Sequence, residues 1–437
     1  MRASGAIVAF AAAIAVGAAW PLYSSHRAQA SGIAPAPVST DYRRRNDIVA
    51  FEETGLRRDP TDQITLRMLG SEYLQRFREA GDLNDVTRAL AVATRSLRLQ
   101  PQGNVQALDV IASSDLSLHR FRAALEAQRE ALESAPFDDN ARAQIASILM
   151  ELGRYGQAQR ALTHPTDRDP NPTWMSIQAR YDQLSGNLAG ARVQMGEATA
   201  IVDRMISMPA YTRSWYHMRD AQLAFEAGDT STASAEFDEA LRVYPDNAAA
   251  LLFQAKLYRA RRDWARALVA AQRSAQLYPL PQALGYVVDS QLALGDPNGA
   301  RRTDALIRAE QRLFNAQGVN DRLLAMYYAE HGEHLSDALN EARSDVAKRG
   351  DEIYTDDTMA WVLAAMHRWP EARLYAERAV RYGTADPELQ YHAGVIASHT
   401  GRTAEARRRL RAALAIDPQF HPFYADDARR ILALLSE

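Results

Sequence analysis

The sequence predicts an all-α protein: an α-solenoid of about ten helix–turn–helix units with capping helices. Three observations predict it. Prolines recur at Pro60, Pro101, Pro136, Pro170, Pro209, Pro245 and Pro279, spaced 41, 35, 34, 39, 36 and 34 residues apart. Between them a glycine is followed five residues later by an alanine, as Gly153/Ala158, Gly186/Ala191, Gly228/Ala233, Gly295/Ala300 and Gly401/Ala406, and Arg262/Ala267 keeps that spacing without the glycine. Apolar residues on either side of the glycine fall at helical intervals. A period of this length is the mark of stacked supersecondary units, each packing on its neighbours.

The N-terminus is read first. Arg2 precedes the apolar run Ala6 to Leu22, and "RAQA" follows at Arg27 to Ala30. A basic start, an apolar stretch and a small-x-small site form an export signal cut after Ala30. The competing reading is an uncleaved membrane anchor, since the run is just short of a comfortable span. Residues 1–30 are therefore a signal or anchor, and 31–42 a Pro/Ala linker. Residues 43–60 resemble a lone second helix and form an N-terminal cap.

The repeats occupy 61–418. In the unit Trp215 to Asn247, the first helix carries Tyr216, Ala221, Leu223 and Ala224 on one stripe. Gly228 ends it, because glycine adopts the left-handed conformation without a Cβ penalty. "DTST" offers capping oxygens to the second helix, which Ala233, Phe237, Ala240 and Leu241 stripe. Pro245 ends that helix, as Pro279 and Pro418 end theirs, because proline lacks an N–H and restricts the residue before it. Ala233, Ala267 and Ala372 stand where two antiparallel helices touch, and Trp264 and Trp369 fill the gaps beside the turns. Three units depart from the pattern. The first has extra residues between Gly81 and Ala89. The seventh runs on through "RAEQRLFNAQG". In the eighth, Gly332 and Ala338 stand one residue too far apart, and a kink is expected near 318–354, at Gly350. Residues 419–437 form a C-terminal cap that buries Ala428, Ile431, Leu432 and Leu435.

These marks resemble the tetratricopeptide repeat family: small residue, aromatic, glycine, alanine, aromatic, alanine and proline at family spacing. Trp215 to Asn247 carries them best, and Leu389 to Pro418 next, with Gly394, Gly401, Ala406, Leu410, Ala413 and Pro418 in register. The resemblance implies a right-handed superhelix. It also looks like secreted or anchored bacterial multi-repeat proteins.

Composition narrows the function. The chain of 437 residues is 47% hydrophobic and 24% charged, with a net charge of -3. That balance gives no basic face for nucleic acid, whose binding releases counterions through clustered cations. Absent cysteine removes disulfides and thiol chemistry. The cations are almost all arginine, with only Lys256 and Lys348 as lysines. There is no phosphate loop and no G-x-S-x-G elbow. "YAEHGEHL" (Tyr328 to Leu335) is interrupted by Gly332 and reads as packing rather than metal ligation. Asp356–Asp357 read as helix-start or solvated carboxylates. The run Arg407 to Arg411 reads as a solvated convex face. No catalytic set, cofactor or metal is expected.

Any specificity is expected on the inner face, which the resemblance assigns to each first helix. Carried over at that spacing, the candidates are Arg180, Trp215, Met218, Gln222, Phe225, Lys256, Arg259 and Asp289. They would join an aromatic and methionine patch to a basic rim suited to an extended peptide or a partner's helix. The Lys/Asn pair by which family members grip a C-terminal carboxylate is replaced here by Met218 with Gln222 and Leu252 with Lys256. The expected function is a non-enzymatic, exported scaffold for protein segments, with membrane contact only through an uncleaved N-terminus. The alternative is an accessory subunit of an envelope enzyme or transporter.

Overall fold

The computed structural model describes residues 40–163, 165, 170–316 and 322–435, so the expected signal and nearly all of the linker lie outside the described residues. Within that range are 22 helices and no strand. A single helix, Thr40–Arg58, precedes ten hairpins that run from Gln63–Ala80 with Leu83–Leu99 to Pro387–His399 with Thr403–Ile416; Tyr424–Leu434 ends the array. None of the described helices is long and apolar enough to cross a membrane.

The turn inside each hairpin has one physical solution, repeated. In each, a residue takes positive φ: Gly81, His119, Gly153, Gly186, Gly228, Arg262, Gly295, Gly332, His367 and Gly401. In nine of the ten, all but the Gly81 turn, the next residue then donates its N–H to the carbonyl five positions back, as in Arg154 to Leu149 O at 2.8 Å, Asp229 to Ala224 O at 2.9 Å and Arg402 to Ala397 O at 2.9 Å. This is the Schellman closure, which satisfies carbonyls left open at a helix end. Asp229 and Asp263 then accept from the backbone N–H three residues on, starting the second helix. Asn247 does the same for the next first helix, accepting from Ala250 N–H, and its amide donates to Ser214 Oγ at 2.8 Å. Ser214 in turn donates to Ala240 O, so three helices share one buried polar tie.

The alanine after each turn is sealed. Ala89, Ala124, Ala158, Ala191, Ala233, Ala267, Ala338, Ala372 and Ala406 have no exposed surface, and Ala300 is 3% exposed. The prolines also act locally. Tyr244, Tyr278 and Asp417, each just before a proline, are extended with ψ of 92°, 111° and 114°, as the proline ring demands. The irregular units have matching backbones. The second helix of the seventh hairpin, Pro297–Ala316, runs 20 residues. The eighth turn contains two positive-φ residues, Gly332 and His334, which accommodates the extra residue before Ala338.

The chain forms two compact units. Of the described residues, the first comprises those from 40 to 178 with 209–211, and the second those from 179 to 208 and from 212 to 435; the division falls within helix Pro172–Leu184. In the first unit, Thr40–Arg58 covers the open end of the array. Val49 joins Leu69, Tyr73, Leu74, Ala89, Ala93 and Val110 in one core. Arg45 fixes the helix in place, reaching Glu72 at 2.5 Å and Glu79 at 2.9 Å.

The second unit closes on itself, which nearest-neighbour stacking does not predict. Thr384 Oγ1 donates to Leu184 O at 2.5 Å. The turns at Gly186 and Gly383 meet backbone to backbone, and Gly228 lies against Ile416 O. The fourth and fifth hairpins thus touch the ninth and tenth. At the C-terminus, Ala425 and Ala428 are buried with Tyr391, Val395, Leu410 and Phe420, while Ile431, Leu432 and Leu435 pack at the edge.

Candidate functional site

The first helices of the second unit bring charged side chains into its interior. Arg259, on Ala248–Ala260, donates through Nε to Asp289 Oδ2 at 2.7 Å. Asp289, on Pro281–Ala293, also faces His331 Nε2 at 3.2 Å. Burial opposes the charge on Asp289, but Arg259 and His331 outweigh it and hold the carboxyl below its usual range. Burial likewise opposes the Arg259 charge, and Asp289 and Glu330 more than offset it. One turn earlier on the same helix, Lys256 Nζ meets Glu388 Oε1 at 3.0 Å. Burial disfavours that ammonium, yet Glu388, Tyr286 and Asp386 hold its pKa above the usual value.

Asp386 is placed differently. Burial first, then the charges of Glu388 and Glu226, push it up to about 7. Burial raises Glu330 as well, against the pull of Arg259. His392 sets Nδ1 3.0 Å from both oxygens of Asp357, and its ring stacks on Trp361 at 4.1 Å. Its Nε2 is buried with no hydrogen-bond partner. The interior is therefore a set of paired charges in a low dielectric, where partners must be supplied internally.

The sequence-predicted site residues fall into three groups. Lys256, Arg259 and Asp289 belong to the cluster just described. Arg180 and Gln222 join a second cluster: Arg180 Nη1 donates to Gln183 Oε1 at 2.8 Å and its guanidinium lies over the Tyr354 ring at 5.5 Å. Gln222 accepts from Arg219, whose other nitrogen reaches Gln183 at 3.0 Å, and Gln183 in turn donates to Glu226. Trp215, Met218 and Phe225 form neither a rim nor an open patch. They are buried at 7%, 1% and 8% exposure, and Trp215 packs edge-on to Tyr216 at 5.1 Å.

Several partners were not singled out from sequence: Glu388, Tyr354 and His421. The signal that could have found Glu388 is a charged side chain at an inner-face position of the tenth unit. Asp356 and Asp357 are also not solvated. Asp356 is fully buried beside Arg381 at 3.0 Å and Arg378 at 2.5 Å. Arg408 in the basic run is 65% exposed. Among the described residues, no group of three or more histidine, aspartate or glutamate side chains could hold a metal ion.

The tetratricopeptide repeat family model matches residues 219–281 and 358–419. No curated protein matches the sequence. Among solved structures, a tetratricopeptide repeat protein from Parabacteroides merdae is 15% identical, covers 59% of this chain and all of its own, and has a TM-score of 0.43. PilF of Pseudomonas aeruginosa is 16% identical, covering 52% of this chain and 97% of its own, at 0.39. Yeast Tom70 is 10% identical, covering 86% and 95%, at 0.33. Over residues 219–281 and 358–419 the chain matches the tetratricopeptide repeat family, and the hairpins on either side carry the same positive-φ turn and the same buried alanine.

Proposed function

We propose that the protein is a non-enzymatic, exported scaffold that holds a protein partner. The observation that carries this reading is the repeat itself. Ten hairpins share the positive-φ turn and the buried alanine, and stacked units of this kind serve as binding surfaces. Matching to a repeat family rather than to a catalytic one supports it. Export rests on the basic start, the apolar run Ala6 to Leu22 and "RAQA" at Arg27 to Ala30.

The inner face of the second unit is the part with anchor chemistry, since it gathers arginine, lysine and aromatic side chains. Its cations are already matched by Asp289 and Glu388. A partner segment that uses them must therefore exchange one ion pair for another, which favours an acidic segment.

The test is cross-linking of the mature protein in its native envelope, with the linked peptides mapped. Links from a partner to Ala210–Glu226, Ala248–Ala260 or Pro281–Ala293 support the inner-face reading. Links confined to Thr403–Ile416 and Pro297–Ala316 would overturn it. Mass analysis of the mature N-terminus decides export: a start at Ser31 supports cleavage, and an intact Met1 supports anchoring.

A further inference from the structure

Two guanidinium groups in the second unit converge on one neutral oxygen. Gln183 Oε1 accepts from Arg180 Nη1 at 2.8 Å and from Arg219 Nη2 at 3.0 Å. Arg219 also donates through Nη1 to Gln222 Oε1. Helix Pro172–Leu184 supplies Arg180 and Gln183, and helix Ala210–Glu226 supplies Arg219 and Gln222. Each arginine stands three residues before its glutamine, a spacing that puts both on one helix face. Tyr354, on Ile353–Ala365, sets its ring 5.5 Å from the Arg180 guanidinium.

The acceptors are unusual for this interior. Lys256 and Arg259 meet carboxylates there, on Glu388 and Asp289. Arg219 bonds instead to two amides, and among the described residues it forms no ion pair. An amide oxygen carries only part of a charge, and a guanidinium N–H bonds about twice as strongly to a carboxylate. The electrostatics follow. Burial first, and then the charge of Arg180, lower Arg219 to about 10, and Glu226 does not offset them. Lys256 and Arg259 are held above their usual values. Glu226 is itself engaged by Gln183, whose Nε2 donates to it. A cation enclosed with neutral acceptors costs stability that a carboxylate would restore.

The donors can also be reached. Gln183 and Gln222 are 2% and 6% exposed, so the amides are fixed in place. Arg180, Arg219 and Tyr354 each keep part of their surface open to solvent.

Resting on the reading of the inner face as the binding surface, we propose that Arg180 and Arg219 form a subsite for one carboxylate of a bound partner, which takes the place that Gln183 Oε1 now fills. Two planar forks aimed at one point suit the paired oxygens of a carboxylate. The charge of Glu226, which reaches Arg219, disfavours a dianion such as phosphate. Arg219 has no ion pair to give up among the described residues, whereas Lys256 and Arg259 must each exchange one. The carboxylate comes from an acidic side chain or from a chain terminus, and the two sources call for different probes.

The probes are acetyl-glutamate amide, which carries a side-chain carboxylate, acetylglycine, which carries a terminal one, and acetyl-glutamine amide, which is neutral. Binding to the full chain is read by saturation-transfer NMR at millimolar probe. Acetyl-glutamate amide should bind and acetyl-glutamine amide should not. Arg219→Gln and Arg180→Gln should each weaken binding about tenfold or more, the loss of one charge-assisted hydrogen bond. Circular dichroism checks each fold. The urea midpoint of Arg219→Gln should match or exceed that of the wild type, because no paired carboxylate is orphaned. Displacement by acetylglycine supports a subsite that also takes chain termini, and its failure to displace supports one for side chains. Equal binding of the glutamate and glutamine probes, no binding of either carboxylate probe, or undiminished binding in both variants overturns the proposal. Tighter binding of inorganic phosphate than of either carboxylate overturns it as well. The probes are single residues and need no native partner. Their failure beside a partner cross-linked to Ala210–Glu226 would reject this subsite and leave the inner-face reading standing.

Discussion

Gly186 and Gly383 meet without room for a single carbon: a Cβ on Gly186 would stand 2.5 Å from the Gly383 carbonyl oxygen. Gly186 is also at φ +86°. Gly295 occupies the same turn position at φ +80°, but a Cβ there would meet nothing within 4 Å. Alanine costs about 1–2 kcal/mol at either site for the left-handed backbone alone. Gly186→Ala should cost at least about 2 kcal/mol more than Gly295→Ala, because it also pushes the two turns apart. Urea titration of the two variants checks this, and matching midpoints would show that the contact adds no stability.

Ala267→Leu should destabilise the second unit by roughly 1–3 kcal/mol through overpacking, since Ala267 is fully sealed between its helices. Because the unit is closed rather than open-ended, the loss should appear in the cooperative transition of the whole unit. Native-state hydrogen exchange tests the point. Accelerated exchange limited to the sixth and seventh hairpins would refute it.

Arg259 and Asp289 form a buried pair at 5% and 7% side-chain exposure. Arg259→Met alone leaves a buried carboxylate and should cost about 3–5 kcal/mol. Adding Asp289→Leu removes the orphaned charge and should recover most of that loss. A double-mutant cycle by chemical denaturation reads the coupling directly.

In the first unit, burial and then the charge of Glu72 push Glu52 up to about 7 from an ordinary 4.5. A carboxyl raised on folding binds its proton more tightly in the native state. Its stabilising contribution is therefore present at low pH and is lost as pH rises through about 7. Glu52→Gln keeps the neutral form throughout. The melting temperature of the variant should gain on the wild type by a few degrees, about 2–6, between pH 6 and 8, and a constant difference across that window would refute the assignment.

The hairpins were legible in the sequence because the turn is a local device. A residue tolerant of positive φ, an alanine five positions on and a proline after the second helix all act within one unit. Where the first mark was not glycine, the signal faded: His119 and His367 adopt the same backbone as Gly228, yet nothing about histidine announces it. The site was less legible for a different reason. Sequence placed Lys256 and Arg259 on an inner face, but their partners Glu388 and His421 stand more than a hundred residues away. Asp356 and Asp357 read as solvated until Arg378, Arg381 and His392, supplied by later segments of the chain, cover them.

Thr384 bonding to Leu184 has a consequence for how this chain can change in length. An open array gains or loses a unit freely, because each unit answers only to its neighbours. Here five complete hairpins, and the second helix of the fourth, lie between those two residues. Deleting one would carry Thr384 a full step away from Leu184, and duplicating one would drive the turns past each other. The number of repeats in the second unit is thereby fixed by geometry, and variation by whole-unit insertion or loss is confined to the residues outside that loop.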